Sequence, residues 1–146
     1  MTQPTPRVLF VCIENACRSQ MAEAIARSLL GQRADIHSAG SHPAERVNPL
    51  AIASLKEIGL TVAKERPKGF NALPSGSFDY VVSMGCGDAC PRIPAVRRLE
   101  WAIPDPKGQS IERFREVRDI IIRQVQALAG EITRHSGTAR AAGPAR

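Results

Sequence analysis

The chain has 146 residues, 43% hydrophobic and 23% charged, the balance of one domain that can bury a core. Its formal charge of +6 would suit nucleic acid, but three of those charges lie in an acid-free end, "RHSGTARAAGPAR", and aromatics are only 4%, too few for a base-stacking platform. No apolar run approaches the length of a membrane span and the start, "MTQPTPR", lacks a signal-peptide core, so a cytoplasmic protein with no membrane partner is expected.

Residues 1–6 read as a flexible start. "RVLFVC" (7–12) is a short, nearly continuous apolar run, the pattern of a buried strand. A helix should follow from about Ser19, with Met21, Ala22, Ile25 and Leu29 at helical spacing and Gly31 as its stop. "DIHSAG" (35–40) predicts a second strand. "NPLAIASLKEIG" predicts a helix capped by Asn48, with Pro49 in its first turn and Gly59 beyond its end. "FDYVVSM" (78–84) predicts a third strand and "RRLEWAI" (97–103) a fourth, closed by "PDPKG". In the last helix Ser110 can cap, Phe114, Val117, Ile121, Val125 and Leu128 form one stripe, and Gly130 is the expected end. The folded domain is then 7–133, and 134–146 reads as a disordered basic tail.

Strands alternating with helices predict a single α/β domain, a four-stranded parallel sheet flanked by helices on both faces. Ligands of such sheets bind beyond the carboxyl ends of the strands. The first strand ends at Cys12 and the third runs into "MGCGDAC", which places both on one rim.

After Cys12 the chain must turn sharply into a helix, and backbone N–H groups gathered at a helix start bind a tetrahedral anion. The loop residues Ile13, Glu14, Asn15, Ala16, Cys17, Arg18 and Ser19 are therefore the candidate substrate-binding set. Asn15 can take the left-handed conformation that tight loops usually give to glycine. Arg18 offers a planar fork for two oxygens of the anion. Ser19 can donate to the sulfur, and the positive surroundings favour a thiolate at Cys12, a nucleophile beneath the bound anion. Cys17 is expected to serve packing. In a reducing compartment the four cysteines are expected to be catalytic, redox-active or metal-binding rather than structural disulfides.

"VCIENACRSQMAEA", "SAG", "VNPLAI", "VVSMGCGDACP" and "WAIPDP" together resemble, in order from about residue 7 to 130, the arsenate reductases built on the low-molecular-weight tyrosine phosphatase fold. The resemblance implies that Cys12 attacks arsenate, that Arg18 binds the oxyanion, and that Asp105 protonates the leaving oxygen. It also implies that Cys86 and Cys90 are relay cysteines, that thioredoxin supplies the electrons, and that phosphate and sulfate compete with arsenate. A role in arsenic detoxification follows, with no tightly bound cofactor. Some relatives hold potassium near the loop, which here points to Asn15, Glu23 and Ser38.

One departure concerns the relay. Many thioredoxin-coupled relatives have six residues between the last two cysteines, where this chain has the three of "CGDAC". Residues four apart on a regular helix do not aim their side chains at each other. Local unwinding is needed, and Gly85 and Gly87 ease it.

Two rival readings of the site remain: a low-molecular-weight tyrosine phosphatase, and a non-catalytic anion or metal sensor. Phosphatases of this fold usually carry tyrosines after the aspartate-proline, where this chain has "DPKG". Mycothiol or glutaredoxin could also replace the internal relay. A zinc site at Cys86 and Cys90 lacks a second cysteine pair, and His37, His42 and His135 are scattered. A monomer is expected.

Overall fold

The first strand, β1 (Arg7–Cys12), forms where the sequence is most apolar, and five of its six residues are buried. The computed structural model describes residues 5–62, 66–85 and 93–142, with side chains described as far as 134. In chain order β1 is followed by α1 (Arg18–Leu30), β2 (Asp35–Gly40), α2 (Pro49–Lys56), β3 (Phe78–Ser83), β4 (Ala95–Glu100) and α3 (Ile111–Ala142). The four strands form one sheet in the order β2-β1-β3-β4, with every pairing parallel.

Alternation along β1 sorts its side chains to two cores. Val8, Phe10 and Cys12 face the larger cluster with Met21, Ile25 and Leu30 of α1, Ala51 and Leu55 of α2, and the α3 stripe. Leu9 and Val11 join Ala39, Phe78 and Val81 on the other face, where Phe70 and Leu73 cover them from a 3-10 turn, Phe70–Ala72, and its flank. Among the described residues the α-helices thus share one face, and the helical cover of the second is that single turn.

Local signals placed most elements. The Asn48 side chain accepts from the Leu50 amide at 2.9 Å, with Pro49 in the first turn of α2. Gly31 takes φ 55° just after α1, and Gly59 takes φ 86° beyond α2. Within α1, Leu30 rather than Leu29 is buried, and Leu29 faces solvent.

Two expectations are corrected. The fourth strand is Ala95–Glu100 rather than 97–103; Ile103 N–H donates back to Trp101 O at 3.0 Å, a tight turn that stops the ladder. Nor does α3 end at Gly130. Ile132 extends the buried stripe one turn past Leu128 and Glu131 pairs with Arg97 at 2.6 Å, so tertiary contacts carry the helix through the glycine. Its backbone stays helical to Ala142, across part of the segment read as a disordered tail.

In this strand order β1 has β2 on one side and β3 on the other. The chain reverses its direction of winding there, which opens a crevice at the carboxyl end of β1. Cys12 is the last residue of that strand.

Candidate active site

The loop between β1 and α1 is held from outside by its carbonyls. Ile13 O accepts from His42 N at 2.8 Å, Glu14 O from Ala44 N at 3.0 Å, and Ala16 O from Asn48 N at 2.9 Å. In a planar trans peptide the N–H points opposite to the C=O. The amides of Glu14, Asn15 and Cys17 are thereby turned away from these anchors. Helix α1 begins with no side-chain cap and no acidic residue in its first turn, so its N-terminal dipole is left for an anion.

Asn15 is fully buried at φ 52°, as expected of a residue standing in for glycine. Its Nδ2 donates to Ser19 Oγ at 2.7 Å and to Ser38 Oγ at 2.9 Å. Its Oδ1 accepts from Gln20 Nε2 at 3.1 Å and from Lys68 N at 2.8 Å. These four bonds use both ends of the amide and fix the loop. Ser19 Oγ lies 2.8 Å from Cys12 Sγ, in reach to stabilise a thiolate.

Arg18 donates to Ile103 O at 3.1 Å and stands 3.6 Å from Asp105 Oδ2. Cys12, Cys17, Arg18 and Asp105 line one cavity of about 120 Å³ with Ile13, Glu14, Ala16 and Lys107. That is well below the roughly 300–1,000 Å³ of clefts for drug-sized ligands, and of a scale for a tetrahedral oxyanion. Burial, then the charges of Asp105 and Cys12, push the Cys17 thiol from 9.0 up to about 12. Cys17 is therefore a neutral thiol at physiological pH, in keeping with packing. Cys86 and Cys90, which follow Gly85 in the sequence, lie outside the described residues.

Two glycines that sequence reasoning did not connect to the site lie close against it, one at the loop backbone and one at the Arg18 guanidinium. A Cβ on Gly40 would lie 2.5 Å from Ile13 O and 2.8 Å from Asn15 N. A Cβ on Gly85, itself at φ 91°, would lie 2.6 Å from an Arg18 guanidinium nitrogen. Only the pairing of Cys12 with Gly40 across β1 and β2 brings the first into contact. Lys68 was missed for the same reason, since Asn15 and Ser38 are remote from it in sequence, while Gln20, five residues from Asn15, lay within the motif and was passed over.

Asn15, Ser38 and Glu23 do meet, as the potassium expectation requires. Ser38 Oγ donates to Glu23 Oε1. But Lys68 Nζ stands 3.6 Å from that carboxylate oxygen and 3.5 Å from Ser38 Oγ, and Arg27 pairs with Glu23 at 2.5 Å. The Asn15 amide presents its NH₂ to Ser38. A cluster that already contains an ammonium and a guanidinium does not fit a further cation. A larger cavity, about 360 Å³, lies along α1 against Leu60–Val62; it includes neither Cys12 nor Arg18 and is set aside as the reaction site.

A parallel α/β sheet with a cysteine, an anion-binding loop and an arginine at the end of its first strand defines a class of enzymes that attack tetrahedral oxyanions through sulfur. The family model of the low molecular weight phosphotyrosine protein phosphatases matches residues 7–138, and the chain belongs to that family. Its relatives include a glutaredoxin arsenate reductase of Synechocystis, 35% identical over 130 residues, 87% of this chain and 98% of that protein. Among solved structures, an arsenate reductase in the phosphate binding state superposes with a TM-score of 0.77 at 34% identity, over 87% of this chain and 98% of the other. The thioredoxin-dependent arsenate reductase of Corynebacterium glutamicum gives 0.74 at 33% identity, over 92% of this chain and 65% of that one.

Proposed function

We propose that this protein reduces arsenate to arsenite, with electrons delivered through a cysteine relay and the product destined for detoxification. The observation that carries the reading is Cys12 Sγ lining an oxyanion-sized cavity, 2.8 Å from Ser19 Oγ, with Arg18 and Asp105 in its wall. The Cys12 thiolate attacks arsenic(V) to form an S–As bond, and an arsenate hydroxyl leaves as water as its As–O bond breaks, taking one proton from Asp105. Arg18 and the loop amides hold the remaining oxygens throughout.

Cys86 then attacks the sulfur of Cys12. The S–As electron pair passes to arsenic, which leaves as arsenite, and a Cys12–Cys86 disulfide forms. Cys90 attacks Cys86, frees Cys12 and leaves Cys86–Cys90 for a two-electron reduction by thioredoxin. The arsenate reductase relatives support the chemistry, and the thioredoxin-dependent one supports the donor. With Lys68 in the Glu23 cluster, no step calls on potassium.

Arsenite release by the purified chain, driven by thioredoxin, glutaredoxin or mycothiol in turn, tests the proposal. Cys12→Ser should abolish turnover. Cys90→Ser should release about one arsenite per enzyme and stall with Cys12 and Cys86 joined. Sustained thioredoxin-driven turnover by Cys90→Ser would replace the internal relay with an external thiol. A wild type that cleaves p-nitrophenyl phosphate but releases no arsenite would make the protein a phosphatase.

A further inference from the structure

Two walls of the cavity are joined by an ion pair that the chemistry above does not use. Lys107 Nζ lies 2.9 and 2.7 Å from the two carboxylate oxygens of Glu14. Glu14 belongs to the Cys12–Ser19 loop, and Lys107 to the turn after Asp105; both line the cavity. That turn is well fixed. Lys107 N–H donates to Asp105 Oδ1 at 3.1 Å, Gln109 N–H to Pro106 O at 2.9 Å, and Gly108 takes φ 80°. The lysine stem is thus launched from a set position across the opening, while both charged ends remain partly exposed. The Glu14 carboxylate, as hydrogen-bond acceptor and as charge, raises the Lys107 pKa.

We infer that the Glu14–Lys107 bridge is a selectivity gate that admits bare tetrahedral oxyanions and disfavours their aryl esters. The inference rests on the oxyanion-pocket reading of the loop. A bare oxyanion can take Lys107 from Glu14, exchanging one anionic partner for another with little loss. An aryl ester must pass its ring out through the same opening. There it would strip water from both charges and offer neither a partner, which is unfavourable. Exposure of the pair lets it open readily, as a surface ion pair should, and its value lies in discrimination between ligands rather than in stability.

The test uses the full chain with Lys107→Ala, Glu14→Ala and the exchanged pair Glu14→Lys/Lys107→Glu. Two quantities are measured: kcat/KM for p-nitrophenyl phosphate, and the inhibition constant of orthophosphate, which reports the bare anion in the same cavity. Selectivity is the ester's kcat/KM multiplied by the orthophosphate inhibition constant. Lys107→Ala should raise that product by about tenfold or more, the range available to pocket discrimination, whereas Glu14→Ala, which frees Lys107 for the anion, should lower the orthophosphate inhibition constant. The exchanged pair, with the bridge rebuilt in the opposite sense, should return the product to within about threefold of the wild type. An unchanged product in Lys107→Ala overturns the gate, and so does an orthophosphate inhibition constant that fails to fall in Glu14→Ala or a product that stays raised in the exchanged pair. Neither measurement involves arsenic, so absence of arsenite release would refute the proposed reductase activity without touching this result.

Discussion

Gly40→Ala should damage the site from the far side of a neighbouring strand. The added Cβ would meet Ile13 O at 2.5 Å, Asn15 N at 2.8 Å and Cys12 O at 3.0 Å. All three are main-chain atoms, tied by the β1–β2 ladder and by the bonds to His42, Ala44 and Asn48, so no side chain can swing aside. Ordinary non-bonded contact is about 3.5 Å or more, and the loop must therefore move by about 1 Å. Overpacking of this kind costs about 1–3 kcal/mol. At about 2–4 °C per kcal/mol for a domain near this size, Tm should fall by about 2–12 °C. A displacement of about 1 Å at reacting groups can lower turnover by about 100-fold. Thermal unfolding by circular dichroism, orthophosphate affinity by calorimetry, and turnover read the three effects separately. A variant with unaltered phosphate affinity and a Tm within about 1 °C of wild type would refute the claim that Gly40 sets the loop's position.

Asn15→Ala loses four hydrogen bonds and must also hold a Cβ-bearing residue at φ 52°, whereas Asn15→Gly loses the bonds alone. The alanine variant should be less stable in urea by about 1 kcal/mol; equal midpoints would show that the loop relaxes. Cys17 holds its proton more tightly folded than unfolded, its pKa being pushed from 9.0 to about 12. Its contribution is complete below the unfolded value and is lost as pH rises toward the folded one. Cys17→Ser should therefore flatten the alkaline decline in stability, where this group can contribute at most about 1.4 kcal/mol per pH unit; parallel urea curves across that range would remove Cys17 as the cause. Lys68→Met leaves the buried Glu23 with Arg27 and the Ser38 hydroxyl and should cost about 1–3 kcal/mol. Added potassium should partly restore this variant while leaving the wild type indifferent to potassium or sodium, and a wild type that prefers potassium would displace Lys68 from the role.

Sequence signals that act within a few residues were readable. Asn48 and Pro49 start a helix, the apolar run at 7–12 makes a buried strand, and Asn15 accepts a positive φ; each answers to its immediate neighbours. Where a choice depends on distant chain, the pattern misleads or is silent. Gly130 carries a stop signal, yet Ile132 and the Glu131–Arg97 pair hold the helix past it. The fourth strand is an edge with Val96, Arg97 and Arg98 exposed, so its limits follow the partner strand rather than its own hydrophobicity. Within the site, the local motif placed Cys12, Arg18 and Ser19. Asp105 needed the resemblance, while Gly40, Lys68 and Lys107 became meaningful only when the fold closed sequence separations of tens of residues.

The carbonyl anchors at His42, Ala44 and Asn48 make the connection between β2 and α2 a part of the anion site, although none of those three residues lines the cavity. If that connection opens locally, the loop peptides lose what orients them and can rotate, so an opened molecule should bind anion poorly. A ligand that binds only the closed form raises the free energy of opening by RT ln(1 + [L]/Kd). Oxyanion should therefore slow amide exchange at His42, Ala44 and Asn48 and protect the same stretch from protease. Conversely, proteolytic nicking between Gly40 and Asn48 would silence the cysteine while leaving it chemically intact.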